Sequence, residues 1–226
     1  MIMKLLPNVY RYQNAFQKSI LETIWMMIRT SVWSLSIGLI FGILLVVTRT
    51  KGLYENKILY RILDQSINFV RSIPFIILLT AIIPITKKVS GTYIGLDGII
   101  FPLIVSSTPF FARQVEMTLL EVDDGLVETA EAMGFSKAQI IPKVYLRESF
   151  SGLMRSVSMM LISLLGLTTL GGAVGSGGLG DFVIRYGHVK NNLDVSLTAV
   201  MVILFFVLVI QGCTNFLIYL WERERL

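Results

Sequence analysis

Charge is absent from long stretches of this 226-residue chain, and no other property constrains its fold as tightly. No Asp, Glu, Lys or Arg occurs from Thr30 to Thr48, Ser72 to Thr86, Gly98 to Ala112, Ser156 to Gly180 or Val195 to Trp221. Only 15% of residues are charged, against about 25% in a soluble domain. A helix crosses a bilayer with about 20 mostly apolar residues. The chain is therefore expected to be an all-α polytopic membrane protein. Its five transmembrane helices are expected over residues 24–48, 62–86, 98–120, 153–172 and 195–220. The same composition excludes a disordered chain or a disulfide scaffold. The single cysteine, Cys213, falls in the last span, so no internal disulfide can form. Residues 1–18 carry no apolar core followed by a small-residue cleavage site, so no cleaved leader is expected.

Five spans put the termini on opposite sides. Eleven Lys and Arg fall on the side of the C-terminus and seven on the side of the N-terminus, with Arg29 and Arg71 left at span ends. The excess of positive charge predicts a cytoplasmic C-terminus and an external N-terminus. The net charge of +5 is what basic loops of a membrane protein supply, so nucleic acid is not expected as a partner.

The most charged stretch between spans is Glu121 to Phe150, with nine charges in 30 residues. It is predicted to be a water-exposed loop that folds into two short helices. Asp123 and Asp124 suit a helix N-terminus. Leu126, Ala130 and Met133 form an apolar stripe at helical spacing. Gly134 suits a left-handed helix end, and Ser136-Lys-Ala-Gln139 fits a capping box. Pro142 is expected to end or kink the second helix. Two capped helices joined by glycine make a compact knob suited to a groove on a soluble partner.

Other constellations narrow the function. Arg29, Asp64, Arg71, Arg113 and Glu116 lie near predicted span ends, where they can snorkel or pair, and Arg113 and Glu116 are spaced for a local ion pair. No relay of acids or histidines crosses the mid-membrane, which argues against an ion-coupled secondary transporter. His188 is the only histidine, so no histidine metal site is expected, and no catalytic set can be assembled. Gly175-Ser-Gly-Gly-Leu-Gly180 matches a dinucleotide glycine pattern without its strand–helix context or a phosphate-loop lysine. It reads instead as a flexible or closely packed turn after span four, and no nucleotide is expected on this chain. Gly38 and Gly42 permit close helix packing, within the subunit in preference to a dimer face. Ser106, Ser107, Thr168 and Thr169 either line a neutral polar pathway or bond between helices.

The charged loop resembles the permease subunits of bacterial ABC importers, whose signature runs E-A-A, three residues, G, nine residues, I-x-L-P. Here Glu128-Thr-Ala130 is followed by three residues, Gly134, nine more, and Val144-Tyr-Leu146-Arg147. Thr129, Arg147 and the extra Pro142 depart from it. Phe69-Val-Arg-Ser-Ile-Pro-Phe-Ile-Ile-Leu-Leu79 and Gly171-Gly-Ala-Val-Gly-Ser-Gly-Gly-Leu-Gly180 resemble the methionine-importer branch. The likeness runs over roughly residues 20–220. It implies a single permease domain over 1–226, with a coupling loop at about 121–150, in a bacterial cell membrane. It implies a homodimer in the bilayer, two ABC ATPase subunits that bind ATP and Mg, and an external lipoprotein that binds substrate. The chain itself would be no enzyme and bind no cofactor. The implied activity is ATP-driven uptake of an amino acid, methionine in L and D forms, with another small amino acid or related solute as the alternative. The implied coupling residues are Glu128, Ala130, Ala132, Met133, Gly134, Val144 and Leu146.

Overall fold

A computed structural model describes residues 7–223, and every regular element among them is helical. The first is a short helix, α1 (Pro7–Arg11). Four helices are long and apolar enough to cross a membrane: α2 (Gln13–Thr48), α6 (Gly95–Leu119), α10 (Phe150–Ala173) and α12 (Leu193–Arg223). At 1.5 Å per residue, the 36 residues of α2 run about 54 Å, longer than a hydrocarbon core of about 30 Å. That is why α2 begins well before residue 24: its first turns carry Lys18 and Glu22 and do not need to be apolar.

The expected span over 62–86 is not one helix. It divides into α3 (Lys57–Ser72), α4 (Phe75–Ala81) and α5 (Ile83–Ser90), with a 104° bend between α3 and α4. Pro74 sits at the break with ψ of 136° and caps α4. Proline has no N–H to give the helix, and its ring drives the preceding residue out of the helical region. With α3 and α4 taken as one broken crossing, the chain has five spans.

The described residues form two compact units, and the long helices contribute to both. One unit holds the described residues up to Trp33, with Ile73–Ser106 and Leu161–Gln211. Its core gathers Val9, Phe182 and Val195, with Tyr12, Phe16 and Tyr186 packed against them. Asp194 accepts the Asn8 backbone N–H at 2.9 Å and its Nδ2 at 3.0 Å, tying α1 to the start of α12.

The other unit holds Ser34–Ser72, Ser107–Met160 and the chain from Gly212 on. Here α2 closes on α6 through Gly38 and Gly42. A Cβ on Gly42 would fall 2.5 Å from the Val115 side chain and 2.8 Å from the Ala112 carbonyl. The glycine pair therefore serves packing inside one chain. Leu45, Ile67 and Ala112 bury together beside it, and Thr118 Oγ1 and Ser156 Oγ, 3.0 Å apart, tie α6 to α10.

Candidate functional site: a strapped knob between α6 and α10

The loop after α6 folds as its caps predict. Asp123 accepts the Gly125 N–H at 2.7 Å and opens α7 (Asp124–Ala132). At the other end Gly134 has φ of +82°. The Phe135 N–H returns to the Ala130 carbonyl at 3.0 Å and the Gly134 N–H to the Glu131 carbonyl at 2.9 Å. These two bonds satisfy carbonyls that the helix end would leave bare. α8 (Lys137–Ile140) starts with the expected capping box between Ser136 and Gln139. The α-helical turns stop at Ile140, just ahead of Pro142, as expected. The chain widens into a π-turn over Ile141–Tyr145, with the Leu146 N–H bonded to the Ile141 carbonyl, and continues into α9 (Leu146–Glu148). The wider turn absorbs the missing proline N–H without breaking the helical path.

The signature residues divide by exposure. Ala130, at 2% exposure, is buried together with Val144, and Leu146 is half-buried. Glu128, Ala132, Met133 and Gly134 are exposed, Met133 to 65%. The predicted stripe of Leu126, Ala130 and Met133 thus does not pack as one face, because α7 has only two and a half turns and rests on Ala130 alone. Leu126 stays exposed at the start of α7, and Met133 at its end, where it makes an apolar tip beside Gly134. A flexible thioether at such a tip adapts to a groove.

The loop between α2 and α3 straps the knob down. Lys137 Nζ donates to the Leu53 carbonyl at 2.6 Å and lies 5.6 Å from the centre of the Tyr54 ring. Arg49 pairs with Asp124 at 3.5 Å, at the N-terminus of α7 where an acid is favoured. A cleft of about 450 Å³ opens between strap and knob, with Glu128 and Glu131 on one wall and Arg49 on the other. Burial pushes the Tyr145 phenol above its ordinary range, partly opposed by Arg49, so it stays neutral at physiological pH. The sequence reading missed Lys137 and this strap. Leu53 lies 84 residues from Lys137, and no local pattern connects them.

Beneath the knob, Arg113 is a hub. It donates to Asp64 at 2.6 Å, to Asn68 at 3.0 Å and to Glu116, whose other oxygen is 3.5 Å from the Tyr60 hydroxyl. Glu116 is 4% exposed. The Arg113–Glu116 pair was legible from its spacing; the share of Asp64, from α3, was not.

The proposed pathway hydroxyls meet different fates. Thr168 and Thr169 both donate to the Leu165 carbonyl, at 2.8 and 3.0 Å, within their own helix. Ser106 is half-buried, and Ser107 is buried with its Oγ unpartnered. The glycine-rich segment is the closely packed turn its composition allowed. Gly177 and Gly178 have φ of +89° and +78°. Glu22 accepts the Gly178 N–H at 2.8 Å, and Thr23 Oγ1 accepts the Leu179 N–H at 2.9 Å. A Cβ on Gly178 would lie 2.6 Å from Met26 Cε.

A family model described as "Binding-protein-dependent transport system inner membrane component" matches residues 34–224. The chain belongs to that family. Relatives of this inner membrane component include the probable D-methionine transport system permease protein MetI of Vibrio cholerae, 42% identical over 188 residues, which are 83% of either chain. The methionine import system permease protein MetP of Bacillus subtilis is 39% identical over 168 residues, 74% of this chain and 76% of that one. Among solved structures, a chain of the MetNI methionine ABC transporter in an inward-facing conformation superposes with a TM-score of 0.90. It is 39% identical, and the match covers 93% of this transport component and 98% of that chain. An amino acid ABC transporter at 14% identity shares the fold, with a TM-score of 0.77.

Proposed function

We propose that this transport component is the permease subunit of an ATP-driven methionine importer. The observation that carries this reading is the exposed knob at Glu128–Gly134, held by its own caps, in a chain about 40% identical to methionine permeases. Two copies form the membrane pathway, and the whole chain acts as one permease domain. Each copy presents its knob, within the loop 121–150, to one of two ATPase subunits that bind ATP and Mg. An external lipoprotein delivers the amino acid. Glu128, Ala132, Met133 and Gly134 meet the ATPase, while Ala130, Val144 and Leu146 hold the knob to the rest of the chain. Closure of the ATPase pair pushes the knob, and the strap at Lys137 and Arg49 passes the push to α2 and α3. Ser106, Ser107, Thr168 and Thr169 belong to the pathway wall. Hydroxyls suit a route whose affinity resides in a separate binding protein, since weak binding lets solute leave.

Reconstitution tests the reading. Proteoliposomes holding this chain, its ATPase and its binding protein should accumulate radiolabelled methionine with ATP and not with a non-hydrolysable analogue. Uptake that ignores ATP, or that takes another amino acid and leaves methionine outside, would refute it.

A further inference from the structure

Charge is scarce in this chain, yet four charged side chains of both signs surround one cleft of about 320 Å³. That size is at the lower end for a small-molecule site. Lys18 and Glu22 stand on the first turns of α2. Asp181 belongs to α11 (Gly178–Phe182), and Arg185 to the π-turn that follows it. The two carboxylates are the sheltered members, with side-chain exposures of 17% and 20%, against 76% for Lys18 and 62% for Arg185. Each carboxylate is also anchored. Glu22 is held by the Gly178 N–H, and Asp181 accepts Arg185 Nε at 2.7 Å. Each cation rests on a carboxylate, Lys18 on Glu22 at 3.7 Å and Arg185 on Asp181 at 2.7 Å. The exposed cations can lift from these pairs to admit an ammonium beneath and close on a carboxylate above. The two pairs are neutral together, so a ligand with one charge of each sign can exchange into them without adding net charge, whereas a ligand of net charge would unbalance the cleft.

The cleft has an apolar neighbour. Gly95, Gly175 and Ser176 line both the cleft and a second cavity of about 190 Å³. Gly95 and Gly175 have φ of +72° and +90°, and a Cβ on either would meet nothing within 4 Å, so the partition there is bare backbone. The second cavity is walled by Ile83, Ile94, Ile99, Pro102 and Val174. Thr86 also lines it, only 1% exposed and with its hydroxyl unpartnered. Buried hydroxyls are almost always bonded, so this one is open to a water or a guest in the cavity.

We propose that this pair of cavities is a loading site for a zwitterionic amino acid, with its ammonium between Glu22 and Asp181, its carboxylate under Lys18 and Arg185, and its apolar side chain in the cavity beyond Gly175. The proposal rests on the amino-acid importer reading above. It assigns the first contact of substrate with this chain to the start of α2 and to the ends of α6 and α10 that do not lead into the knob.

Site-directed labelling tests it on the full complex with its ATPase, in a Cys213→Ala background. Ala15→Cys places a reporter on the cleft wall, and Lys57→Cys places one at the exposed start of α3. Methionine should slow maleimide labelling of the Ala15→Cys reporter several-fold and leave the Lys57→Cys reporter unchanged. Methioninol, which lacks the carboxylate, and methylthiobutyrate, which lacks the ammonium, should not protect. Asp181→Asn and Arg185→Gln should each abolish protection by methionine. Protection by either half-ligand, or protection that survives both substitutions, overturns the site. So does absence of protection in proteoliposomes that still take up methionine, an outcome that leaves the importer reading standing. Failure of methionine uptake itself would count against that reading instead. If the Ala15→Cys chain does not assemble, Leu96→Cys on the facing wall serves as the reporter.

Discussion

Gly134 has φ of +82°, and a Cβ built on it meets no atom within 4 Å. The constraint there is backbone conformation and not space. Gly134→Ala should cost about 1 kcal/mol locally, and Gly134→Val more, because a β-branched residue is a poor occupant of that region. The chain has an outlet for the strain: α7 can lose its last turn without disturbing any membrane helix. Gly134→Val is therefore expected to insert and assemble normally while ATP-dependent uptake falls at least tenfold. Uptake beside ATPase rate in proteoliposomes checks this; unchanged uptake removes the coupling role. Lys137 acts differently. Lys137→Met keeps an unbranched side chain but loses both the bond to the Leu53 carbonyl and the ammonium over the Tyr54 ring. It should leave ATPase binding intact and raise the ATP consumed per methionine moved. A fall in ATPase binding with that ratio unchanged would place Lys137 in the docking surface and not in the strap.

At the scale of elements, the ion cluster joins α3 to α6 through one side chain. Arg113→Ala leaves Glu116 buried without its cation, and breaking such a pair costs about 3 kcal/mol or more. The thermal midpoint in detergent should drop clearly. Arg113→Lys should recover only part of it, because one ammonium cannot reproduce the guanidinium fork that meets Asp64, Asn68 and Glu116 together. A full rescue by lysine would show that charge alone matters there. Such clusters also mark what a sequence can disclose. The helices α2, α6, α10 and α12 are legible because hydrocarbon admits few charges, and composition records that demand directly. The ends of α7 and α8 are legible because caps act over three or four residues. Pro74 was visible, but the apolar run that follows it outweighed a single residue. The grip of Glu22 and Thr23 on the glycine turn joins residues 156 apart, and chemistry at that separation leaves no periodic trace.

For the whole molecule, the charge bias predicts a cytoplasmic C-terminus, the side where ATP is found. A fluorescent protein fused after Leu226 should fold and shine, and alkaline phosphatase at the same place should stay inactive. The reverse pattern would contradict the orientation and place the knob on the wrong side for an ATPase. The break at Pro74 has a consequence for the bilayer itself. A helix end leaves carbonyls at one side and amide hydrogens at the other without partners in the helix. Here two such ends meet at the start of the charge-free run that begins at Ser72. Lipid tails offer those groups nothing, so backbone at that depth must border protein or a watery recess. Wherever water supplies the partner, deuterium will enter quickly at the amides of Ile73, Phe75 and Ile76 while the helices on either side stay protected. A narrow burst of exchange within an apolar run would mark where this protein admits solvent into the membrane.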